Sequence, residues 1–394
     1  MAAPRRWQLL LAGLLTIGLA TGIVSSLLLT LHNDGLFLGP GLGFETGTEP
    51  FQEFYHWLEA RHRGLGLALL LLAALSAAAI FGLTLYGYFA YGTRFQAHYP
   101  LREHFTFPLI AFLDRFFYSL ALLVLGGIAL LMGADFSAGY ELIVQWARAT
   151  HAWVMAHVPT LVELPYVLAF FVSYGIAGFV HYFMHRLSHE RRLLWLLFHR
   201  FHHFPTVMFP ASTPPVFFAV PLFLLVVIPY HLAFGALTKL FCDQPLYFAL
   251  ILYKLLFYIP DCWAHNTVTY ASGRNSRLVR GASLFFSNGI YHYLHHSAER
   301  LDGKPTNTVN LGGSFMYWPD KLFGTFRELP EQAPPIGLTG QPPLLYNPLR
   351  LALSGMAQIV YELRHNALRH WPLIVCGRVD QNPPRTRDYA LRCL

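Results

Sequence analysis

Charge is what this sequence has least of. Only 12% of its 394 residues are Asp, Glu, Lys or Arg, about half of the roughly 25% carried by soluble globular chains. That shortage argues against an ordinary cytosolic enzyme, whose surface needs more charge to face water. Lysine occurs only at Lys239, Lys254, Lys304 and Lys321, so arginine supplies nearly all the positive charge behind the formal net value of +7. No basic run is long enough for a nucleic-acid footprint, and no nucleic-acid partner is expected. The four cysteines, Cys242, Cys262, Cys376 and Cys393, form no CxxC pair, which argues against a disulfide framework or a thiolate metal site. The sequence also lacks GxGxxG, CxxCH and HExxH motifs, any flavin motif, internal repeats and low-complexity tracts.

What the chain has in quantity is apolar surface: 55% hydrophobic residues and 16% aromatics, with 33 phenylalanines. That composition excludes intrinsic disorder, collagen and coiled coil, and points to an integral membrane protein. A helix needs about 20 apolar residues to cross the hydrocarbon. Trp7–Leu31, Gly64–Ala90, Phe116–Met132 and Leu164–Val180 satisfy or approach that length. The first exceeds a secretory h-region of about 7–15 residues and is expected to be a retained anchor. Val216–Leu237 and Pro245–Pro260 form a further apolar pair around Lys239 and Asp243; the second is short and is expected to make a re-entrant hairpin. The expected fold is an all-α integral membrane protein of about four spans plus this hairpin, with a cytosolic, histidine-rich helical cap.

Orientation follows from the bias of Arg and Lys toward the cytoplasmic side. Arg5 and Arg6 place the N-terminus inside, and the acidic loop with Asp34, Glu45, Glu49, Glu53 and Glu59 lies outside. Arg94 and Arg102 then fall inside, as do Arg186, Arg191, Arg192 and Arg200, and then Arg274, Arg277 and Arg280. The histidine clusters ride with these arginines on the cytoplasmic face. The sparse Lys beside abundant Arg, Ala and Leu suggests a bacterial inner membrane rather than endoplasmic reticulum. Three regions are expected: N-terminal transmembrane helices over 1–100, a catalytic domain over 101–330, and a Pro-rich linker with an interfacial helix and tail over 331–394.

Histidine is the anomaly, at 20 residues. His185 and His189 stand four apart, on one helix face, with His181 a turn earlier. His199, His202 and His203 have the spacing HxxHH, and so do His292, His295 and His296. His265 stands alone within Asp261-Cys-Trp-Ala-His265-Asn266. With His at about one residue in twenty, one HxxHH arises by accident in a few per cent of such chains and two in roughly one in a thousand. Clustered protonated imidazoles would repel one another and resist burial. A cation requires the neutral form and unites the rings. Nine imidazoles are too many for one ion and suit two, and nitrogen ligands suit Fe, Zn, Cu or Ni. A pair of irons at a membrane face could activate dioxygen against an unreactive C–H bond, chemistry that side chains alone do not perform.

The order HxxxH, HxxHH, an isolated histidine, HxxHH resembles the fatty acid hydroxylase/sterol desaturase superfamily of membrane di-iron enzymes. The likeness runs from about Tyr174 to Phe326. It takes in His185-Arg186, His189-Glu190, the Trp195 spacing, Trp263-Ala-His265 and Asn310-Leu-Gly-Gly. It closes on Trp318-Pro-Asp320-Lys-Leu-Phe323-Gly324-Thr-Phe326, similar to alkylglycerol monooxygenases and bacterial sterol-desaturase-like proteins but with Pro319 between Trp and Asp. The resemblance implies metal-ligand roles for His185, His189, His199, His202, His203, His265, His292, His295 and His296, with His181 outside the motif. Glu190, Asp261, Asn266 and Asn310 are candidates to orient the rings. Arg186 is expected to pair with a local carboxylate or a lipid headgroup.

The expected activity is oxygen-dependent hydroxylation, desaturation or oxidative cleavage of a lipid or sterol. It would use two iron ions and dioxygen, with electrons from a separate redox protein or diffusible reductant. Zinc is expected to enter purified protein as a substitute. Two alternatives come from other classes. A histidine-rich metal or haem transporter or electron carrier would place its histidines inside spans, along a pathway. A zinc-dependent membrane hydrolase would need a base beside a ligand, in the HExxH manner.

Overall fold

The computed structural model describes residues 152–206, 228–243, 270–285 except 272, 289–301, 304–339 except 314, and 347–389, with isolated residues that include Met208 and His265. The sequence-predicted spans Trp7–Leu31, Gly64–Ala90 and Pro245–Pro260, most of Phe116–Met132 and the first part of Val216–Leu237 lie outside the described residues, as do Asp261 and Asn266.

The longest helix, α1 (Tyr166–Glu190, 25 residues), starts after Pro165, whose fixed φ suits a helix entrance. It ends where Arg191 turns extended, at φ −105° and ψ 126°. Among the described residues, Leu168–Glu190 is the one helical stretch long and apolar enough to cross a membrane. The span expected over Leu164–Val180 and the first histidine group are thus one continuous rod. Its sides differ. Ala169, Ala177 and Val180 pack with Tyr230, Phe234, Phe315 and Met316, whereas Leu168, Phe171 and Phe183 are exposed. Left in water, each such side chain forgoes about 1.5–3 kcal/mol; contact with lipid restores it.

Helix α2 (Ile228–Lys239) lies along α1, with the Tyr230 hydroxyl donating to the Ala177 carbonyl at 3.2 Å. After α1, a short turn, Arg192–Leu194, leads into a π-helical turn, Trp195–His199, and a 3-10 turn, Arg200–His203. Helix α3 (Arg277–Ala282) is capped by Ser276, whose hydroxyl accepts from the Val279 N–H at 3.3 Å. Helix α4 (Ile290–His295) follows Gly289 at φ 81° and is buried throughout. Among the described residues the structure is helical apart from one small antiparallel ladder, β1 (Arg300–Leu301) on β2 (Lys304–Pro305), paired Arg300 to Pro305 and Leu301 to Lys304, and two isolated bridges, Arg191 with Arg378 and Ser297 with Ile336.

Helix α5 (Trp318–Phe323) carries Pro319 in its first turn and ends on Gly324 at φ 73°. The Pro-rich segment after it does not hang free: Ala298 donates to the Pro335 carbonyl and Gly337 to that of His296, at 2.8 and 2.9 Å. Helix α6 (Pro348–His365) is capped by Asn347, which accepts from the Arg350 N–H. It ends at His365, because Asn366 leaves the helix in an extended conformation. Its inner side packs on Trp195–Phe198 through Ile359 and Met356. Helix α7 (Trp371–Cys376) is tied to the end of α1: Arg192 donates to the Gly377 carbonyl and Val379 to that of Glu190.

Candidate metal centre

Nine imidazoles from four separate stretches converge in two adjoining groups. His185, His189, His199, His203 and His295 form one; His202, His265, His292 and His296 form the other. Within each group the potential ligand atoms all lie within 4.8 Å of one another. These are the nine residues expected from the sequence to act as ligands. The partition was not legible there: each HxxHH gives its outer pair to one group and its middle histidine to the other. On α4 the helix geometry explains it. Positions i and i+4 nearly eclipse on a helix, while i+3 stands about 100° around the axis from i+4. His292 and His296 therefore face one group, and His295 turns to its neighbour. The two groups abut, His203 stacking on His296 with ring centroids 4.2 Å apart.

The nitrogens meet tip to tip. His199 Nε2 is 3.0 Å from His185 Nε2 and 3.2 Å from His203 Nε2, and His189 Nε2 is 3.1 Å from His295 Nε2. In the second group an Nε2 chain runs His202, His265, His292, His296 with steps of 2.9, 2.8 and 3.1 Å. A ring nitrogen has one in-plane valence, used either as N–H or as lone pair. Protons can therefore satisfy isolated pairs but not His199, His265 and His292, which each meet two partners. A cation can. Adjacent ligands about 2.1 Å from a metal are about 3.0 Å apart when they subtend a right angle there. The donor set and its spacing fit a pair of metal ions.

Two rings have their tautomer fixed by the backbone. His185 Nδ1 donates to the Leu311 carbonyl at 2.6 Å, and His295 Nδ1 to the Val309 carbonyl at 2.9 Å. Each Nε2 is thereby left with its lone pair aimed into the five-histidine group. Burial is the first cause holding His199, His203, His292 and His296 well below the usual histidine pKa, with neighbouring imidazoles adding to it. The same burial pushes His295 down to about 3. A lowered pKa favours the neutral form, the one a ligand must have.

The two carbonyls belong to a strained loop. Asn310 lies between them at φ 51°, fully buried. Its side chain accepts from the Arg327 N–H at 2.8 Å and donates to the carbonyls of Tyr291 and Arg327. Asn310, expected to orient the rings, thus touches the backbone on either side of the loop and fixes the carbonyls on which two of the rings hang. Asp320 completes the loop, taking the Leu311 and Gly312 N–H groups at 2.7 Å each and the Thr325 hydroxyl at 2.6 Å. Burial pushes its carboxyl up to about 6 against the lowering by those donors. Its place in the closing motif gave no sign of this role, because the groups it holds are backbone N–H donors that every sequence offers.

Glu190 is placed elsewhere. It pairs with Arg186 at 2.7 Å, both side chains being substantially exposed, so Arg186 has the local carboxylate partner expected of it. His181 is in neither group. Its ring lies beside Phe315, centroids 5.0 Å apart, and its Nε2 would be 2.7 Å from a Cβ at Gly313, which has φ +55°.

Residues 170–325 match a family model described as fatty acid hydroxylase. The chain is also 29% identical over 223 residues to the ornithine lipid hydroxylase OlsE of Rhizobium tropici, covering 56% of this chain. The aligned stretch spans 60% of that relative's length. No solved structure matches the chain. The two matches support the fatty acid hydroxylase superfamily, the one that the histidine spacing resembles.

Proposed function

We propose that this chain is an oxygen-dependent di-iron membrane enzyme that hydroxylates a lipid. The observation that carries the proposal is the convergence of nine imidazoles into adjoining groups of five and four, with lone pairs directed inward. His185, His189, His199, His203 and His295 would hold one iron; His202, His265, His292 and His296 would hold the other. The bound irons would supply activation of dioxygen for attack on a C–H bond.

The protein's own part is binding, orientation and exclusion of water. The Val309 and Leu311 carbonyls keep two ring tautomers in place. Trp195 lies against His189 and His203, ring centroids 5.1 and 5.5 Å apart, and such apolar burial disfavours protonation of the imidazoles. Helix α1 runs from the exposed Phe171 to His185 and His189, so one rod meets both the bilayer and the metal centre, and an acyl chain lying along it reaches the histidines.

Hydroxylation is preferred over desaturation or cleavage because the matched relative is a lipid hydroxylase. By the same likeness, an ornithine lipid is the first substrate to test. The multi-pass topology, the cytoplasmic position of the histidines and an external electron donor complete the proposal. The catalytic unit is taken as 101–330, between N-terminal spans and the segment from 331.

The test combines elemental analysis of the purified full chain with lipid profiling of a strain lacking it. Two metal ions per chain, and a lipid one oxygen atom heavier that needs dioxygen and is restored by wild type but not by His189→Ala, are expected. One ion or none in active protein, or unchanged lipids in the deletion strain, would overturn the proposal. Zinc in inactive preparations is expected, since zinc outranks ferrous iron in intrinsic affinity.

A further inference from the structure

Helix α6 lies beyond residues 170–325, the segment matched by the family, yet it touches the chain around His199 at three points. Gly355 faces the π-helical turn so closely that a Cβ there would overlap the Leu196 carbonyl oxygen. Before the π-helical turn, Arg192 Nη2 donates to both oxygens of Glu362, at 2.7 Å each, with side chains 3% and 0% exposed. One residue after His199, the buried Arg200 donates to Gln358 at 2.9 Å and reaches Asp388 at 3.4 Å and Ser354 at 3.5 Å. Ser354, Gln358 and Glu362 stand four apart and form one polar stripe on the inner side of α6, joined by the Gln358 amide donating to Glu362 at 3.0 Å. The Thr386 hydroxyl donates to the same carboxylate at 2.6 Å.

We propose that α6 is a positioning element of the five-histidine group, an inference that rests on the metal reading above. A π-helical turn is rare and is concentrated at functional sites. Here it runs Trp195–His199, closed by the Arg200 N–H donating to the Trp195 carbonyl. A regular α-helical turn over these residues would rotate His199 away from His185 and His203. The two arginines flank the turn, and α6 grips both: Glu362 holds one end, Gln358 the other, and Gly355 lets the backbone between them seat against the helix. Arginine suits this task, because its planar fork fixes direction as well as distance. His199 meets two other nitrogens of its group, so its placement sets that group more than the four-histidine one.

The test uses the full chain in detergent or nanodiscs, loaded with cobalt(II), whose absorption reports the coordination of each ion. Gly355→Ala and Glu362→Ala are expected to weaken metal binding at the five-histidine group by about 10–100-fold, as loss of ligand-supporting contacts commonly does, and to shift its absorption band. The four-histidine group should keep its ion. Glu362→Gln, which retains an acceptor for Arg192, should recover most of the binding, and Leu353→Ala, on the exposed side of α6, should match wild type. Two ions with an unchanged spectrum in both Gly355→Ala and Glu362→Ala would overturn the inference. So would equal loss from both groups in step with loss of folded protein. If Gly355→Ala does not fold, Gln358→Ala is read in the same way. Wild-type protein that binds no metal, or that keeps both ions in His189→Ala, refutes the metal reading itself and this inference with it.

Discussion

Removal of the Asp320 carboxylate is expected to loosen one metal ion before the other. Its two oxygens hold the Leu311 and Gly312 N–H groups and the Thr325 hydroxyl, and the side chain has no exposure to solvent. In Asp320→Ala two buried backbone donors lose their acceptor, at about 1–3 kcal/mol each. The total of about 2–6 kcal/mol is a large part of a typical stability of about 5–15 kcal/mol. Asp320→Asn keeps one acceptor oxygen and sets an amide N–H against the other donor, so about half that loss is expected. The released loop carries the carbonyls of Val309 and Leu311, which orient His295 and His185. Both rings belong to the five-histidine group. Competition with a chelator, followed by metal analysis and thermal unfolding, should therefore show Asp320→Asn losing the first ion at lower chelator concentration while the second stays. Wild-type retention of both ions in a folded Asp320→Ala variant would refute the role of the loop.

Other outcomes follow from the same geometry. His295→Ala should drain the five-histidine group and His292→Ala the four-histidine group, each leaving about one ion per chain by elemental analysis; loss of both ions from either variant would show the groups to be one unit. His181→Ala should retain both ions, because its ring lies in neither group, and His231→Ala on α2 is the matching control. In metal-free protein, stability should fall with acidity. The depressed pKa values of His199, His203, His292, His295 and His296 mean that below about 6.5 the unfolded chain takes up protons that the folded chain refuses, at about 1.4 kcal/mol per pH unit and ring. That loss continues down to the folded value, about 3 for His295. Asp320 acts oppositely: its contribution is full below 3.8 and lost as pH rises through about 6, but it is one group against five. A melting temperature that rises from pH 7 to pH 5 would contradict this balance. Finally, a cysteine placed at the exposed Leu278 on α3, among Arg274, Arg277 and Arg280, should be labelled only from the cytoplasmic side.

Much of the chemistry is local in sequence. The shortage of charge and the apolar run ending in His181–His189 specify a helix fit for lipid, and α1 has that form. The spacings HxxxH and HxxHH specify which imidazoles share a helix side, because 3.6 residues per turn is a property of the backbone alone. Eight of the nine residues are therefore legible in their spacing; His265 stands alone in the sequence, and its place among them came only from the resemblance to the histidine-box family. What that order could not assign was which ring joins which group. The assignment depends on how α1, the π-helical turn, α4 and His265 pack across long separations, as over the 106 residues from His189 to His295. The supporting groups were hidden for a similar reason. Val309 and Leu311 act through backbone carbonyls, which any residue type possesses, and Asp320 acts on the backbone of a loop nine residues away. Glu190 stands next to a histidine in sequence, but its position on the helix turns it toward Arg186. Spacing along one helix is decided by covalent geometry, whereas the meeting of separate segments is decided only when apolar burial and buried polar pairing are satisfied together in the folded chain.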